Sequence, residues 1–214
     1  MSEAIPPLPR RAALPSRLYA ILDPDRTKGR LAISVLRQLI EGGGRLIQLR
    51  AKEMASGELY RLAREARQWI PKAGSLFIVN DRVDIALACE ADGVHLGQDD
   101  LPLSVARRLM GDKILGISTH DLAQAREAER NGADYIGFGP VFRTATKDTG
   151  YSPRGLAMLR EIRQAVKIPI VAIGGIAEDN VAQVWEAGAD AAAIITDLME
   201  AEDVAGKVRR ILNL

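Results

Sequence analysis

Short apolar runs alternate with amphipathic segments along the chain from Arg17 onward. The runs are rich in β-branched residues, and the stretches between them repeat apolar residues at helical spacing, which is the pattern of successive βαβ units. The strands are predicted at 17–23, 45–50, 75–80, 93–97, 114–118, 135–140, 168–175 and 191–196.

The helical stretches place apolar residues on one face, as Leu31, Val35 and Leu39 do in the first of them. Eight such β/α units favour a closed barrel, so the sequence predicts an α/β protein with a single-domain (β/α)₈ TIM barrel over 17–214. An open doubly wound sheet is the alternative architecture. Its usual G-x-G-x-x-G fingerprint is absent after the first strand.

Composition is that of an ordinary globular domain, with 214 residues, 47% hydrophobic and 27% charged. A parallel barrel can be built from about 200 residues, so a split into two domains is disfavoured. The net charge of +1 argues against nucleic acid or a membrane surface as the main partner. We therefore expect small-molecule substrates. The sequence leaves the oligomeric state open, a homo-oligomer included.

Residues 1–16 are interpreted as a Pro-rich N-terminal tail, with a flap over the bottom of the barrel as the alternative. They lack the apolar centre of a secretory signal, and no run in the chain approaches the ~18 apolar residues of a membrane span. The single cysteine, Cys89, cannot form an intrachain disulfide. These features together predict a cytoplasmic protein.

Polar residues at the carboxyl ends of the strands carry the functional information, because active sites of parallel barrels lie there. Gln48, Arg50 and Lys52 follow the second strand at alternate positions, so they are expected to share one face. The two cations suit phosphate oxygens. The alternative is a surface salt bridge with nearby Glu53.

Two aspartates are predicted to end neighbouring strands. Asp81 follows the third strand and Asp100 the fourth, beside the cations of the second. Carboxylates in such a setting predict a hard-oxygen site for Mg²⁺ shared with a diphosphate, with Asn80 orienting them. For Asp81, a helix N-cap is the competing interpretation.

The fifth strand is followed by Ser118 and His120, which could line the site or cap the next helix. His95 is flanked by apolar residues and glycine, which is typical of a hydrogen-bonded interior histidine rather than a ligand. No cluster has the spacing of a zinc site.

The segment after the sixth strand is long and rich in Gly, Thr and Pro, with Lys147 near its tip. We expect a loop that closes over substrate. The glycine pair in 173–176 and the segment 194–196 follow the last two strands, where backbone N–H groups of many barrels hold a phosphate.

These motifs resemble the thiamine phosphate synthase family from Leu18 to Met199. The resembling pieces are QLRAK, VNDRVDIAL, ADGVHLGQDDLP, GISTH, GADYIGFGPVFRTATK and VAIGGI. IGGI or GAD alone would be a weak signal. HLGQDD followed by GPVFRTATK is specific.

The resemblance implies a Mg²⁺-dependent transferase that joins hydroxymethylpyrimidine diphosphate to thiazole phosphate and releases pyrophosphate without a protein nucleophile. The residues implied to hold the pyrimidine diphosphate are Gln48, Arg50, Lys52, Asn80, Ser118 and Lys147, of which Arg50, Lys52, Ser118 and Lys147 take the catalytic role. The implied metal ligands are Asp81 and Asp100. The residues implied to hold the thiazole phosphate are Thr144, Thr146, Gly175, Ile195 and Thr196.

Two positions depart from the family pattern, since Leu22 stands where Thr is common and Thr196 where Ser is usual. A related thiazole tautomerase, which uses a histidine at the position of His120, is one alternative function. A catalytically silent regulator that binds thiazole phosphate is another. Such a regulator is expected to lose residues of the diphosphate site, whereas Asp100 and Lys147 are present.

Overall fold

The computed structural model describes residues 14–144 and 152–214. Eight parallel strands follow one another in sequence order around a closed barrel, with the last paired to the first. They are β1 Leu18–Leu22, β2 Leu46–Leu49, β3 Leu76–Asn80, β4 Gly93–Leu96, β5 Ile114–Thr119, β6 Tyr135–Phe138, β7 Ile170–Ile173 and β8 Ala191–Ile194. The predicted strands and their closure into a (β/α)₈ barrel are confirmed, and the open-sheet alternative is wrong.

Helices follow the strands on the outside of the barrel. Within the described ranges they are α1 Ala32–Glu41, α2 Ser56–Trp69, α3 Val83–Ala88, α4 Leu103–Met110, α5 Leu122–Arg130, α6 Gly155–Ala165, α7 Val181–Glu186, α8 Thr196–Met199 and α9 Val204–Leu212, with a 3₁₀ helix at Pro24–Arg26. None of these helices has the length and apolar character needed to span a bilayer.

Side-chain alternation along the strands divides the core into two layers. Ile47 and Leu49 face outward and join the large cluster beneath the helices, together with Val35 and Leu39 of α1. Gln48 lies between them in sequence and therefore faces the barrel interior. The expectation for Leu31 was wrong. It occupies the N-cap position of α1 and is 79% exposed, because its turn is not yet helical.

Three Asp–Arg pairs, which we call the basal ion pairs, close the amino-terminal end of the barrel. Each aspartate directly precedes an even-numbered strand and accepts a backbone N–H from the beginning of the strand before it. Each also contacts an arginine of a surrounding helix. The pairs are Arg67–Asp92 at 2.8 Å, Arg107–Asp134 at 2.5 Å and Arg163–Asp190 at 2.9 Å.

The inner layer of the barrel is closed from below by Leu14, which packs against the cluster that contains Tyr19, Leu46 and Ile78. The N–H of Leu18 donates to the Oγ of Ser16 at 3.1 Å, so the chain is held as it enters β1. The rest of the predicted tail, residues 1–13, lies outside the described residues.

Candidate active site

A cavity opens at the carboxyl ends of the strands, where the sequence predicted the site. It is lined by ten of the residues predicted to bind substrate or metal: Gln48, Arg50, Lys52, Asn80, Asp81, Ser118, Thr144, Gly175, Ile195 and Thr196. Asp100 is not part of this lining, although it contacts Asp81. Thr146 and Lys147 lie outside the described residues.

The residues after β2 bring an amide and two cations to one side of this cavity. Gln48 is buried, and its Nε2 donates to the hydroxyl of Tyr19 at 2.9 Å. The guanidinium of Arg50 contacts Asp23 at 2.5 Å, and the ammonium of Lys52 lies 3.1 Å from Asp81. Both cations thus pair within the mouth of the barrel rather than with Glu53, as the alternative interpretation supposed.

Asp23 was missed by the sequence analysis, which treated the end of the first strand only as a departure from the family pattern. Asp23 is 1% exposed and caps the 3₁₀ helix, with its Oδ1 accepting the N–H of Asp25 at 3.2 Å. Its other oxygen contacts Arg50. An aspartate immediately after the first strand, at the end where active sites lie, was the available signal.

Asp81 and Asp100 form a pair of carboxylates beside Lys52. Asp81 adopts a left-handed φ of 62°, which Asp tolerates better than most residues, and its N–H donates to the carbonyl of His95 at 2.8 Å. An oxygen of Asp100 accepts the N–H of Gly97 at 2.6 Å. Burial and the neighbouring Asp81 raise the pKa of Asp100 above its ordinary value. The site thus favours either a proton or a cation between the two carboxylates.

Asp81, Ser118 and His120 do not cap the helices that follow them. The N-cap position of α3 belongs to Arg82, so the N-cap interpretation of Asp81 is wrong. The N-cap of α5 is Asp121, whose carboxylate accepts the N–H of Gln124 at 2.8 Å, so neither Ser118 nor His120 takes that role.

Both histidines are hydrogen-bonded at the edge of the cavity. His95 contacts the Tyr135 hydroxyl through Nδ1 and the Ser118 hydroxyl through Nε2, each at 3.0 Å. This confirms the prediction of a hydrogen-bonded interior histidine. His120 is buried, with its Nδ1 lying 2.6 Å from the carbonyl oxygen of Gly139.

The opposite side of the cavity is built from backbone. Gly174 and Gly175 have φ values of 99° and 65°, and a Cβ on either would lie within 2.6 Å of the segment that follows β6. Glycine is therefore required for the two loops to approach each other. Ile195 and Thr196 complete this side at the beginning of α8. The late glycines and the residues after β8 thus meet on one wall.

The metal-binding capacity of the mouth is modest. No group of three or more His, Cys, Asp or Glu side chains in the described ranges could hold a metal ion. Two carboxylates alone suit Mg²⁺, which keeps several waters and accepts oxygens from a phosphorylated substrate.

Comparisons with known proteins agree with this geometry. A family model described as thiamine monophosphate synthase matches residues 18–198. A thiamine-phosphate synthase from Chloroflexus aurantiacus is 48% identical over 198 residues, covering 92% of this chain and 92% of that protein. One from Moorella thermoacetica is 50% identical over 195 residues, covering 91% and 93%.

Solved structures give the same result. The thiamine phosphate pyrophosphorylase from Pyrococcus furiosus is 41% identical, with a TM-score of 0.84 over 92% of this chain and 94% of that one. The matches in sequence and in structure both extend over the barrel and its mouth. The chain therefore belongs to the thiamine monophosphate synthase family.

Proposed function

We propose that the chain is a cytoplasmic transferase that condenses hydroxymethylpyrimidine diphosphate with thiazole phosphate, giving thiamine phosphate and pyrophosphate. The observation that carries the proposal is the convergence of Arg50 and Lys52 with the carboxylates of Asp81 and Asp100 at one side of the cavity. This arrangement offers donors for a diphosphate and oxygens for a divalent cation in a chain of the family.

The pyrimidine diphosphate is assigned to the side of the cavity formed by β2 to β5. Gln48, Asn80 and Ser118 offer neutral polar groups for the ring, whereas Arg50 and Lys52 offer charged donors for the diphosphate. Lys147 is assigned to the same diphosphate on the resemblance alone. Asp23 fixes the guanidinium of Arg50 in place before substrate arrives.

Mg²⁺ is assigned to Asp81 and Asp100. Burial and the neighbouring Asp81 raise the pKa of Asp100, and a cation between the two carboxylates would offset both effects, which supports this fit. When bound, Mg²⁺ supplies positive charge that stabilises the leaving pyrophosphate. The left-handed backbone at Asp81 holds one ligand, and the N–H of Gly97 orients the other.

The reaction needs electrostatic stabilisation rather than a protein nucleophile. The bond between the pyrimidine methylene and the diphosphate oxygen breaks first, and its electron pair leaves with pyrophosphate. Arg50 and Lys52 face the anion as its charge develops, in positions fixed by their carboxylate partners. The thiazole nitrogen then donates its lone pair to the methylene carbon. No proton transfer to a side chain is required.

The thiazole phosphate is assigned to the opposite wall, at Thr144, Gly175, Ile195 and Thr196, and Thr146 is assigned to the same phosphate on the resemblance alone. Backbone of two loops converges there, and the glycines leave room for an anion to approach the main chain. The two substrates are thereby placed side by side across one cavity, which favours attack of one on the other.

The two alternative functions have less support. A thiazole tautomerase would centre on His120, but the cationic donors and carboxylates of a diphosphate site lie in the same cavity. A silent regulator would not need the Arg50 and Lys52 donors or the Asp81 carboxylate. The relatives described above carry the name of the synthase.

The direct test is an assay of the purified chain with both substrates and Mg²⁺, following pyrophosphate and thiamine phosphate together. We expect equal amounts of the two products and none when either substrate is omitted. Pyrophosphate release without thiamine phosphate would indicate a hydrolase instead. Formation of a thiazole tautomer from a single substrate would favour the tautomerase.

A further inference from the structure

A continuous line of hydrogen bonds crosses the barrel interior along the wall of the cavity. The Nε2 of Gln48 donates to the Tyr19 hydroxyl at 2.9 Å, and the hydroxyls of Tyr19 and Tyr135 lie 2.9 Å apart. The line continues from Tyr135 to the Nδ1 of His95 at 3.0 Å and from its Nε2 to the Oγ of Ser118 at 3.0 Å. Gln48, Tyr19, His95 and Ser118 all line the cavity, whereas Tyr135 is not part of its lining.

The two tyrosines in the middle stay neutral. Each is 1% exposed, and burial raises the pKa of both hydroxyls far above the neutral range. A neutral phenol has one proton to donate, so each hydroxyl in the line donates one hydrogen bond and accepts from its other neighbour. Protons along the line therefore all point the same way.

The direction is set at Gln48, because its amide nitrogen can only donate. Tyr19 accepts from this amide, and every hydroxyl of the line both donates and accepts when Tyr19 donates to Tyr135 and Tyr135 donates to the Nδ1 of His95. A neutral His95 consequently carries its proton on Nε2 and donates it to Ser118. The hydroxyl proton of Ser118 and the amide oxygen of Gln48 are left for the cavity.

We propose that Tyr135 and His95 are positioning residues that fix a hydrogen-bond donor at Ser118 and an acceptor at Gln48 for the pyrimidine ring. The proposal rests on the proposed function and deepens it. An aminopyrimidine has an amino group that donates and ring nitrogens that accept, which is the complementary pattern. A ring with an oxo group in place of the amino group would place a second acceptor against the amide oxygen of Gln48. Because the protons of the line are fixed in one direction, Gln48 could not turn to donate to that oxo group.

The backbone is shaped to hold this line. A Cβ at Gly116 would lie 2.1 Å from the ring of Tyr135, and a Cβ at Gly137 would lie 2.9 Å from the ring of His95. The two rings stack with centroids 5.5 Å apart. Glycines on β5 and β6 thus make room for an aromatic pair whose polar atoms align with Tyr19 and Ser118.

The other histidine provides an internal contrast. The Nδ1 of His120 lies 2.6 Å from a carbonyl oxygen, which can only accept, so His120 carries a proton on Nδ1. The chain contains only these two histidines. A neutral sample should therefore show one imidazole with its proton on Nε2 and one with its proton on Nδ1.

The test is ¹⁵N NMR of the imidazoles in the ligand-free, full-length chain above the pH at which they are neutral. We expect His95 in the Nε2–H form and His120 in the Nδ1–H form, with His95 assigned by loss of its signals in His95→Gln. An Nδ1–H form for His95 overturns the proposal whatever the chain catalyses. This spectrum needs no turnover, so its failure is distinguishable from failure of the proposed function.

Two matched variants connect the tautomer to specificity. Tyr135→Phe removes the donor to His95, so we expect mixed tautomers, an approximately tenfold higher KM for the pyrimidine diphosphate and an unchanged KM for thiazole phosphate. Tyr19→Phe separates Tyr135 from Gln48, which sets the direction of the line, so the His95 tautomers should mix in this variant as well. Unchanged His95 signals in a folded Tyr135→Phe would contradict the proposal, and if that variant does not fold, the wild-type spectrum alone decides.

Discussion

The base and the mouth of the barrel contain the same kinds of charged residue, but these residues serve different purposes. At the base, each aspartate of the basal ion pairs is satisfied by an arginine and by a backbone N–H. At the mouth, Arg50 and Lys52 pair with carboxylates, but Asp100 sits against Asp81 with a raised pKa. The carboxylates of the base all have a cationic partner within the chain, whereas Asp100 at the mouth lies against another carboxylate.

This difference indicates which charges serve the fold and which serve a ligand. Residues whose partners are all internal stabilise the barrel, as the pairing of Arg107 with Asp134 does. Residues that repel one another in the folded protein are retained at a cost to stability, which is the usual signature of a functional site. Changes at the base should alter stability alone, and changes at the mouth should alter activity.

The largest effect is expected for Lys52→Met at the mouth. Loss of one positioned cation that faces a developing anion should lower kcat by about 10²–10³-fold. The melting temperature should change little, because the Lys52 side chain is 39% exposed. Steady-state kinetics and thermal denaturation measure the two effects.

The control for Lys52→Met is Lys72→Met, which removes an exposed lysine that lies 3.9 Å from Glu90 on the surface. It should leave kcat unchanged. A loss of activity in Lys72→Met as large as that in Lys52→Met would remove the distinction between the mouth and the rest of the surface.

At the base, Asp134→Ala should lower stability and leave activity unchanged. It leaves the N–H of Leu115 without its acceptor and removes the carboxylate partner of Arg107, whose other acceptors are backbone carbonyls, which should cost about 3 kcal/mol of unfolding free energy. The melting temperature should fall by about 6–12 °C, while kcat per folded molecule stays the same. Asp190→Ala is the matched variant, with a smaller expected effect because Asp190 is 45% exposed. A loss of kcat in folded Asp134→Ala would show that the base also serves the reaction.

Asp23→Asn tests a residue that both stabilises the fold, as a helix cap, and holds a residue of the site, Arg50. The amide keeps the cap of the 3₁₀ helix but loses the charge that holds Arg50, so kcat/KM should fall by about tenfold, less than for Lys52→Met. Asp25→Asn, at an exposed neighbouring aspartate, is the control. If Asp23→Asn lowered only the melting temperature, Asp23 would belong with the structural aspartates.

The smallest effect is expected from Asp100→Asn in chelated, metal-free protein. Since the folded state raises the pKa of Asp100, its charge disfavours folding at neutral pH and this penalty disappears as pH falls through that pKa. The variant should melt about 1–2 °C higher than the wild type at pH 7, with the difference vanishing in acid. Thermal scans over pH measure this. A lower melting temperature at pH 7 would contradict the electrostatic account of the mouth.

Much of the fold was predictable because strand patterns are local. The predicted strands 135–140 and 168–175 extended too far, since Pro140 has no N–H for the ladder and Gly174 turns to a φ of 99°. The local pattern also gave the wrong position for Leu31, because the apolar spacing of the helix extends one residue before the beginning of α1.

The site was predictable in outline, because strand ends must converge in a barrel. What the sequence could not provide were partners far apart along the chain. Asp23 meets Arg50 across two strands, and His95 meets Tyr135 from strands 40 residues apart. Asp100 was expected as a strand-end residue lining the cavity, but it lies four residues beyond β4 and is held there by the N–H of Gly97.

The most direct test of the central claim is a Mg²⁺ titration of chelator-treated enzyme while pyrophosphate release is followed. Asp81→Asn and Asp100→Asn should each raise the Mg²⁺ concentration for half-maximal rate by about tenfold and lower the maximum. Asparagine suits the left-handed backbone at Asp81, so the comparison isolates charge. Asp99→Asn, at the exposed neighbour, should follow the wild-type curve. Full activity of chelated wild-type enzyme, or an Asp100→Asn curve identical to the wild type, would contradict the assignment of the metal.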